Sequence, residues 1–164
     1  MEVGCEFYSL SKSFDVTGMR VSFFLGSKEI VDNFVKLRSL YDFGMFYPIQ
    51  YGAIKALEVS KEIVEEQRLE YQARRDALCD GLNSIGWHIY KPKGTMFVFA
   101  KIPNHYKGSM EFTEDLLEKT GILVNPGIAF GDLGDRYVRF ALTKTVDQFK
   151  EIVDIIAKSG ITFD

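Results

Sequence analysis

The sequence predicts an α/β protein in which two bodies are joined by one long helix. Three observations carry this reading. Short apolar runs bounded by glycine, of strand length, alternate with segments whose apolar residues recur at helical spacing. The stretch 60–85 is dense in helix formers over a length that more often links two bodies than packs on one. The composition, 46% apolar, 26% charged and 14% aromatic, suits a chain able to bury a core, which excludes disorder, collagen-like repeats and a disulfide-stapled mini-protein.

Val3 to Leu10 alternates loosely between apolar and polar residues and reads as a strand, an unusual opening for a domain. After a polar loop, Met19 to Leu25 is a short apolar run between Gly18 and Gly26, predicted to be a buried strand beside the first. Ser27 is a candidate N-cap for a helix through Ile30, Val31, Phe34, Val35 and Leu37. Pro48 favours the first turn of a second helix, which carries Ile49, Ala53, Ile54 and Leu57. The long helix follows from Ser60 to Ile85 and ends at Gly86, its charge run forming a solvated face.

Beyond Gly86, Trp87 to Tyr90 and Thr95 to Ala100 read as two strands in hairpin-like succession around the turn Pro92-Lys93-Gly94. A helix is expected from an N-cap at Ser109 to Thr120, closed by Gly121. Asn125-Pro126-Gly127 is a turn, and Tyr137 to Leu142 a strand. Thr145 and Gln148 form a capping box ahead of Phe149, Ile152, Val153 and Ile156, and Gly160 ends that last helix.

Charge and cysteine usage narrow the partners. Twenty basic against 23 acidic side chains leave a net charge of −3, too little bulk attraction to favour nucleic acid or an anionic membrane. The apolar runs fall far short of the ~18 residues a membrane span needs. Cys5 and Cys79 are far apart in sequence, and no secretory leader is read, so the cytoplasm is the expected compartment. Dinucleotide and nucleotide-binding glycine loops, metal-spaced His or Cys clusters and a nucleophile elbow are all missing from the sequence, so no metal is expected. His88 and His105 have no sequence neighbours that would form a metal or acid/base set, and structural or exposed roles are expected.

Two places carry chemistry. Ser9-Leu10-Ser11-Lys12 ends a strand and is followed by Gly18-Met19-Arg20. Two hydroxyls and a guanidinium suit a phosphate dianion, and a lysine among them is a candidate Schiff-base amine, although a plain surface loop has the same pattern. Farther on, Arg139 stands in the middle of an apolar strand. A guanidinium there needs an acid partner, either an internal Asp or Glu or the carboxylate of a ligand.

Taken in order, Ser9-x-Ser11-Lys12, Gly18-x-Arg20, a long helix, Lys93-Gly-Thr-Met-Phe-Val98, Pro126-Gly-x-Ala-Phe-Gly131 and Tyr137-x-Arg139 resemble the class I/II aminotransferases of fold type I, which are pyridoxal-phosphate enzymes. Residues 7–20 and 41–50 are most similar to the branch containing LL-diaminopimelate and related amino-acid aminotransferases. The resemblance implies that Lys12 holds the cofactor as a Schiff base and moves the proton at the substrate α-carbon. It implies that Ser9, Ser11, Lys12 and Arg20 bind pyridoxal 5'-phosphate, and that Arg139 clamps the substrate carboxylate. The reaction implied is amino-group exchange between an amino acid and a 2-oxo acid. Ser22 departs from the pattern, since the family usually has glycine after Arg-x.

Members of this family are considerably longer, and the residues that stack on the cofactor ring and pair with its nitrogen precede the part matched here. The expected organisation is therefore a remnant of the large cofactor domain over 1–58, a connecting helix over 59–85 and a C-terminal small α/β domain over 86–164. Weak or absent activity is expected of the chain by itself. The alternative is a non-catalytic dimerisation module that retains the small domain. Unpaired strand edges and aromatic-rich helix faces in the first 58 residues predict a homodimer or larger self-association.

Overall fold

A computed structural model describes residues 4–163. Val3, the expected first residue of the opening strand, lies outside the described residues. The chain divides into two compact units, with the boundary between Glu66 and Gln67.

In the first unit, β1 (Cys5–Ser9) and β2 (Ser22–Gly26) form an antiparallel pair, with Cys5 opposite Gly26 and Ser9 opposite Ser22. The expected strand over Met19 to Leu25 is thus shifted to Ser22–Gly26 and has no buried residue, while Val21 just before it is buried. Met19 ends a 3-10 turn (Thr17–Met19), and Arg20 adopts a left-handed backbone at φ 52°, which ends that turn ahead of the extended run. A two-stranded sheet has little to cover its outer face, so Tyr8, Phe23 and Leu25 stay exposed. On the other face Phe24 lies 4.6 Å from Phe7 and 4.5 Å from Phe34, ring centre to ring centre.

Phe34 belongs to α1 (Lys28–Arg38), which starts as expected at Ser27, whose Oγ accepts the Ile30 N–H at 3.4 Å. Next, α2 (Tyr47–Leu57) carries Pro48 in its first turn and buries Ala53 and Ala56, while Ile54 and Leu57 remain exposed. The core of this unit is Leu10, Val21 and Ala53, with Phe14, Val16, Met19, Met45 and Ile49 packed against it. The helix α3 (Lys61–Ser84) has 24 residues and is long, as its composition requires.

In the second unit, β3 (Phe97–Lys101), β5 (Tyr137–Ala141) and the short β4 (Asn125–Pro126) form an antiparallel sheet in the order β3-β5-β4. Period-2 alternation turns Val98, Ala100, Val138 and Phe140 to the core. There they join Leu78 and Leu82 of α3, Phe112 and Leu116 of α4 (Ser109–Thr120), and Phe149, Val153 and Ile156 of α5 (Val146–Lys158).

The hairpin expected from Trp87 to Ala100 does not form: residues 87–90 make no strand, and β3 pairs with β5 instead. Asn83 explains the difference. Its Oδ1 accepts the Ile89 N–H at 2.9 Å and its Nδ2 donates to the Ile89 carbonyl at 3.4 Å, satisfying groups that a ladder would otherwise use. Trp87 is buried with its ring stacked on Phe163, and its Nε1–H donates to the Lys101 carbonyl at 2.7 Å. The capping box at Thr145 and Gln148 is present, with both reciprocal bonds made. Gly121 closes α4 in the left-handed conformation, its N–H donating to the Leu117 carbonyl at 2.8 Å. Gly108, not Ser109, caps the start of α4, because the Ser109 hydroxyl is used elsewhere.

Candidate functional site

The candidate residues fall in both units, and each half has its own geometry. In the first unit, the segment joining β1 to β2 holds Ser9, Ser11, Lys12 and Arg20. Ser9 ends β1, and its Oγ accepts the Ser11 N–H at 3.1 Å, a local bond that fixes the turn leaving the strand. Ser11 is buried, and its carbonyl accepts the Thr17 hydroxyl at 3.1 Å. Arg20 donates through Nη1 to the Thr17 carbonyl at 2.9 Å. Thr17 therefore ties the serine turn and the arginine together. That role is not legible in the sequence, where the only signal is a hydroxyl residue three positions before Arg20.

Lys12 lies exposed at the turn and, among the described residues, has neither a hydrogen bond nor an ion pair. Arg20 likewise has no carboxylate partner among the described residues. Left-handed backbone at a non-glycine residue costs on the order of 1–3 kcal/mol, and such strain gathers at ligand sites. Here it occurs at Asp15 and Arg20, flanking Thr17. An unpaired amine, a guanidinium without an acid and two serines form a donor set that fits a phosphate monoester bearing an aldehyde.

In the second unit the sheet has one face in the core and one outside it. Arg139 is on the outer face of the central strand, opposite Phe99 of β3 on one side and Asn125 of β4 on the other. That placement explains how an arginine is tolerated mid-strand. Its Cζ lies 4.2 Å from the centre of the Phe97 ring and 4.4 Å from that of Phe130. Asn125 Oδ1 accepts from Nη2 at 3.3 Å, while Nε is shut from solvent and has no partner. Among the described residues no Asp or Glu pairs with it, so of the two partners the sequence left open the internal acid is not found. Neither Phe97 nor Phe130 is singled out by sequence reasoning, although both fall inside the matched motifs.

The loop after β4 carries Phe130 and is pinned at its neck. A Cβ on Gly127 would sit 2.1 Å from the Gly134 carbonyl oxygen, so only glycine fits there. The Ser109 hydroxyl, fully buried, accepts the Ile128 N–H at 3.1 Å and donates to Asp135 Oδ1 at 2.8 Å. The Ser109 N–H also donates to that oxygen, at 2.9 Å. Hydrogen bonds from the Ser109 backbone and hydroxyl hold the Asp135 carboxyl below the usual carboxylate range.

Burial pushes the Cys79 thiol up to about 11, away from thiolate chemistry. His88 and His105 are exposed, and no group of three or more metal-ligating side chains occurs among the described residues. No helix among the described residues is long and apolar enough to cross a membrane.

Residues 3–156 match the aminotransferase class I and II family. The chain belongs to that family. Its members depend on pyridoxal phosphate. The chain is 42% identical over 154 residues to the glutamate-pyruvate aminotransferase AlaC of Escherichia coli K12, covering 93% of this chain and 37% of that protein. It is 39% identical over 162 residues to the LL-diaminopimelate aminotransferase of Halothermothrix orenii, covering 99% of this chain and 41% of that protein. Among solved structures it superposes on apo-BacF from Bacillus subtilis with a TM-score of 0.93 at 34% identity, covering 99% of this chain and 42% of that one. An aromatic aminotransferase from Pyrococcus horikoshii gives a TM-score of 0.89 at 31% identity. The chain thus spans well under half the length of these relatives.

Proposed function

We propose that this chain carries the lysine, the phosphate site and the carboxylate clamp of an aminotransferase that exchanges an amino group between an amino acid and a 2-oxo acid. The observation that carries the reading is Arg139, a guanidinium on an aromatic-lined sheet face with no acid partner among the described residues. Ser9, Ser11 and Arg20 bind the cofactor phosphate, with Thr17 holding the turn that presents them. When bound, pyridoxal phosphate supplies the aldehyde that takes the amino group and a ring that spreads the charge left at the α-carbon. Lys12 Nζ accepts and returns the proton at the substrate α-carbon, a role that needs an amine free of carboxylate partners. Arg139 fixes the carboxylate and so orients the rest of the substrate.

In this reading residues 1–58 belong to the cofactor domain, 59–85 to a connecting helix and 86–164 to the small domain. The enzyme works in the cytoplasm as a homodimer, and the chain by itself turns over weakly. A second reading, a non-catalytic association module, draws on the exposed apolar side chains Leu40, Tyr41, Phe43, Phe46 and Tyr47, which fall close together in the sequence.

The deciding experiment is a visible-absorbance titration of the purified chain with pyridoxal phosphate, followed by borohydride reduction and peptide mapping. A saturable band, with the reduced label on Lys12 and lost in Lys12→Ala, is expected. Labels scattered over surface lysines without saturation would overturn the cofactor reading and leave the association module.

A further inference from the structure

We propose that Phe130, held in place by the Ser109–Asp135 latch, is a positioning residue that presents the Nη edge of Arg139 to a carboxylate. The inference rests on the reading of Arg139 as a carboxylate site. It begins with the two edges a guanidinium can offer. A side-on approach uses Nε and one Nη, and an end-on approach uses both Nη groups. Nε of Arg139 is closed to solvent, so the side-on edge is unavailable. The end-on edge is the one open to a ligand, and its direction is set by whatever fixes the guanidinium plane.

Three groups do so. Asn125 Oδ1 holds Nη2, and the rings of Phe97 and Phe130 rest against the guanidinium at 4.2 and 4.4 Å. Phe97 is part of the sheet, fixed by the register that pairs it with Ala141. Phe130 is different, because it is half exposed and sits on the loop between β4 and β5. Its position depends on how that loop is held.

The Ser109 hydroxyl is the node of that attachment. It takes the Ile128 N–H at one end of the loop and donates to Asp135 at the other, while Gly127 and Gly134 close the neck between them. Ile128 is two residues from Phe130. Removing the hydroxyl frees the Ile128 N–H, lets the 3-10 segment Gly127–Phe130 shift, and takes the ring off Arg139. Phe99, whose ring centre is 5.7 Å from that of Phe130, supports the loop from the sheet side.

The test uses the full chain labelled with 15N and titrated with propionate, a probe with a carboxylate and no other polar group. Binding is read from the amide shifts of Phe99 and Asn125 and from the Arg139 Nε–H signal, assigned by its loss in Arg139→Lys. Phe130→Leu is expected to raise the propionate Kd about fivefold, the scale of one cation–ring contact. It is also expected to reduce the ring-current shift of the Nε–H signal to the part contributed by Phe97. In Ser109→Ala, which keeps the Phe130 ring, the same reduction reports that the ring has left Arg139, which a purely structural role would not produce. Ser109→Ala should change both in the same direction, and Phe130→Tyr should stay within about twofold of wild type, since it keeps the ring. A Phe130→Leu chain that binds propionate within about twofold of wild type overturns the proposal, whatever Ser109→Ala does. Failure of the wild type to saturate, or unchanged binding in Arg139→Lys, removes the carboxylate site itself and the proposal with it.

Discussion

The two units place their chemistry on very different supports. In the second, nineteen of the described residues form one buried cluster drawn from three helices, a sheet and the segments that connect them. In the first, the buried cluster is Leu10, Val21 and Ala53. Since burial of apolar area is the main stabilising term, the second unit has the means to hold Arg139 rigidly, and the first holds its serines, Lys12 and Arg20 chiefly through backbone and hydroxyl bonds. An arginine set on a large core and a turn with light support are thus opposite solutions within one chain.

The sharpest way to break this comparison is to truncate each core. Phe149→Ala removes a ring that is 1% exposed and should cost about 3–5 kcal/mol. Leu10→Ala in the small cluster should fall near 2 kcal/mol, because few neighbours lose contacts and the site can collapse. Urea unfolding followed separately by Trp87 fluorescence, which reports only the second unit, and by amide exchange in β1 and β2 measures both. Equal costs would show that the first unit is supported as firmly as the second.

A smaller effect sharpens the account of the latch. The Asp135 carboxyl is depressed in the folded chain by its bonds from Ser109, so its contribution to stability is present above the ordinary Asp range and is lost as pH falls through the lowered folded value. Asp135→Asn should therefore narrow the difference between urea midpoints at pH 7 and pH 3. A variant with the same acid dependence as wild type would mean that the latch does not couple to folding.

The least effect is expected at the surface of the first unit. Lys28 and Asp32 pair at 2.6 Å, one turn apart in α1, with side chains 87% and 50% exposed. Lys28→Ala should change stability by less than about 0.5 kcal/mol in the same urea measurement.

Features governed by local chemistry were legible in the sequence. Ser27, Pro48, Gly121 and the Thr145–Gln148 box each act within one helical turn, and each stands near the helix end expected of it. The misread segments depend on distant partners. Trp87 to Tyr90 has strand composition, yet Asn83 and Phe163 take up the groups and the ring that pairing would have used. Met19 to Leu25 looks buried because it is apolar, but burial requires a covering layer, and a periodicity says nothing about whether one exists. The site divides the same way. Arg139 stands out because its residue type is unexpected mid-strand, whereas Lys12, in a pattern shared with plain surface loops, is marked by the family resemblance. Thr17, Phe97, Phe130, Ser109 and Asp135 are ordinary in their own segments and acquire roles only through contacts that folding creates.

The glycine neck limits how the loop beside Arg139 can be altered. Gly127 and Gly134 approach so closely that no side chain fits at either, whereas Leu133 between them is almost wholly exposed. Substitution is therefore channelled: the two ends of the loop are closed to variation while its tip is open to it. A library that randomises residues 129, 132 and 133 and keeps Phe130 and all three glycines of the loop would vary the surface beside Arg139 without spreading the loop's base.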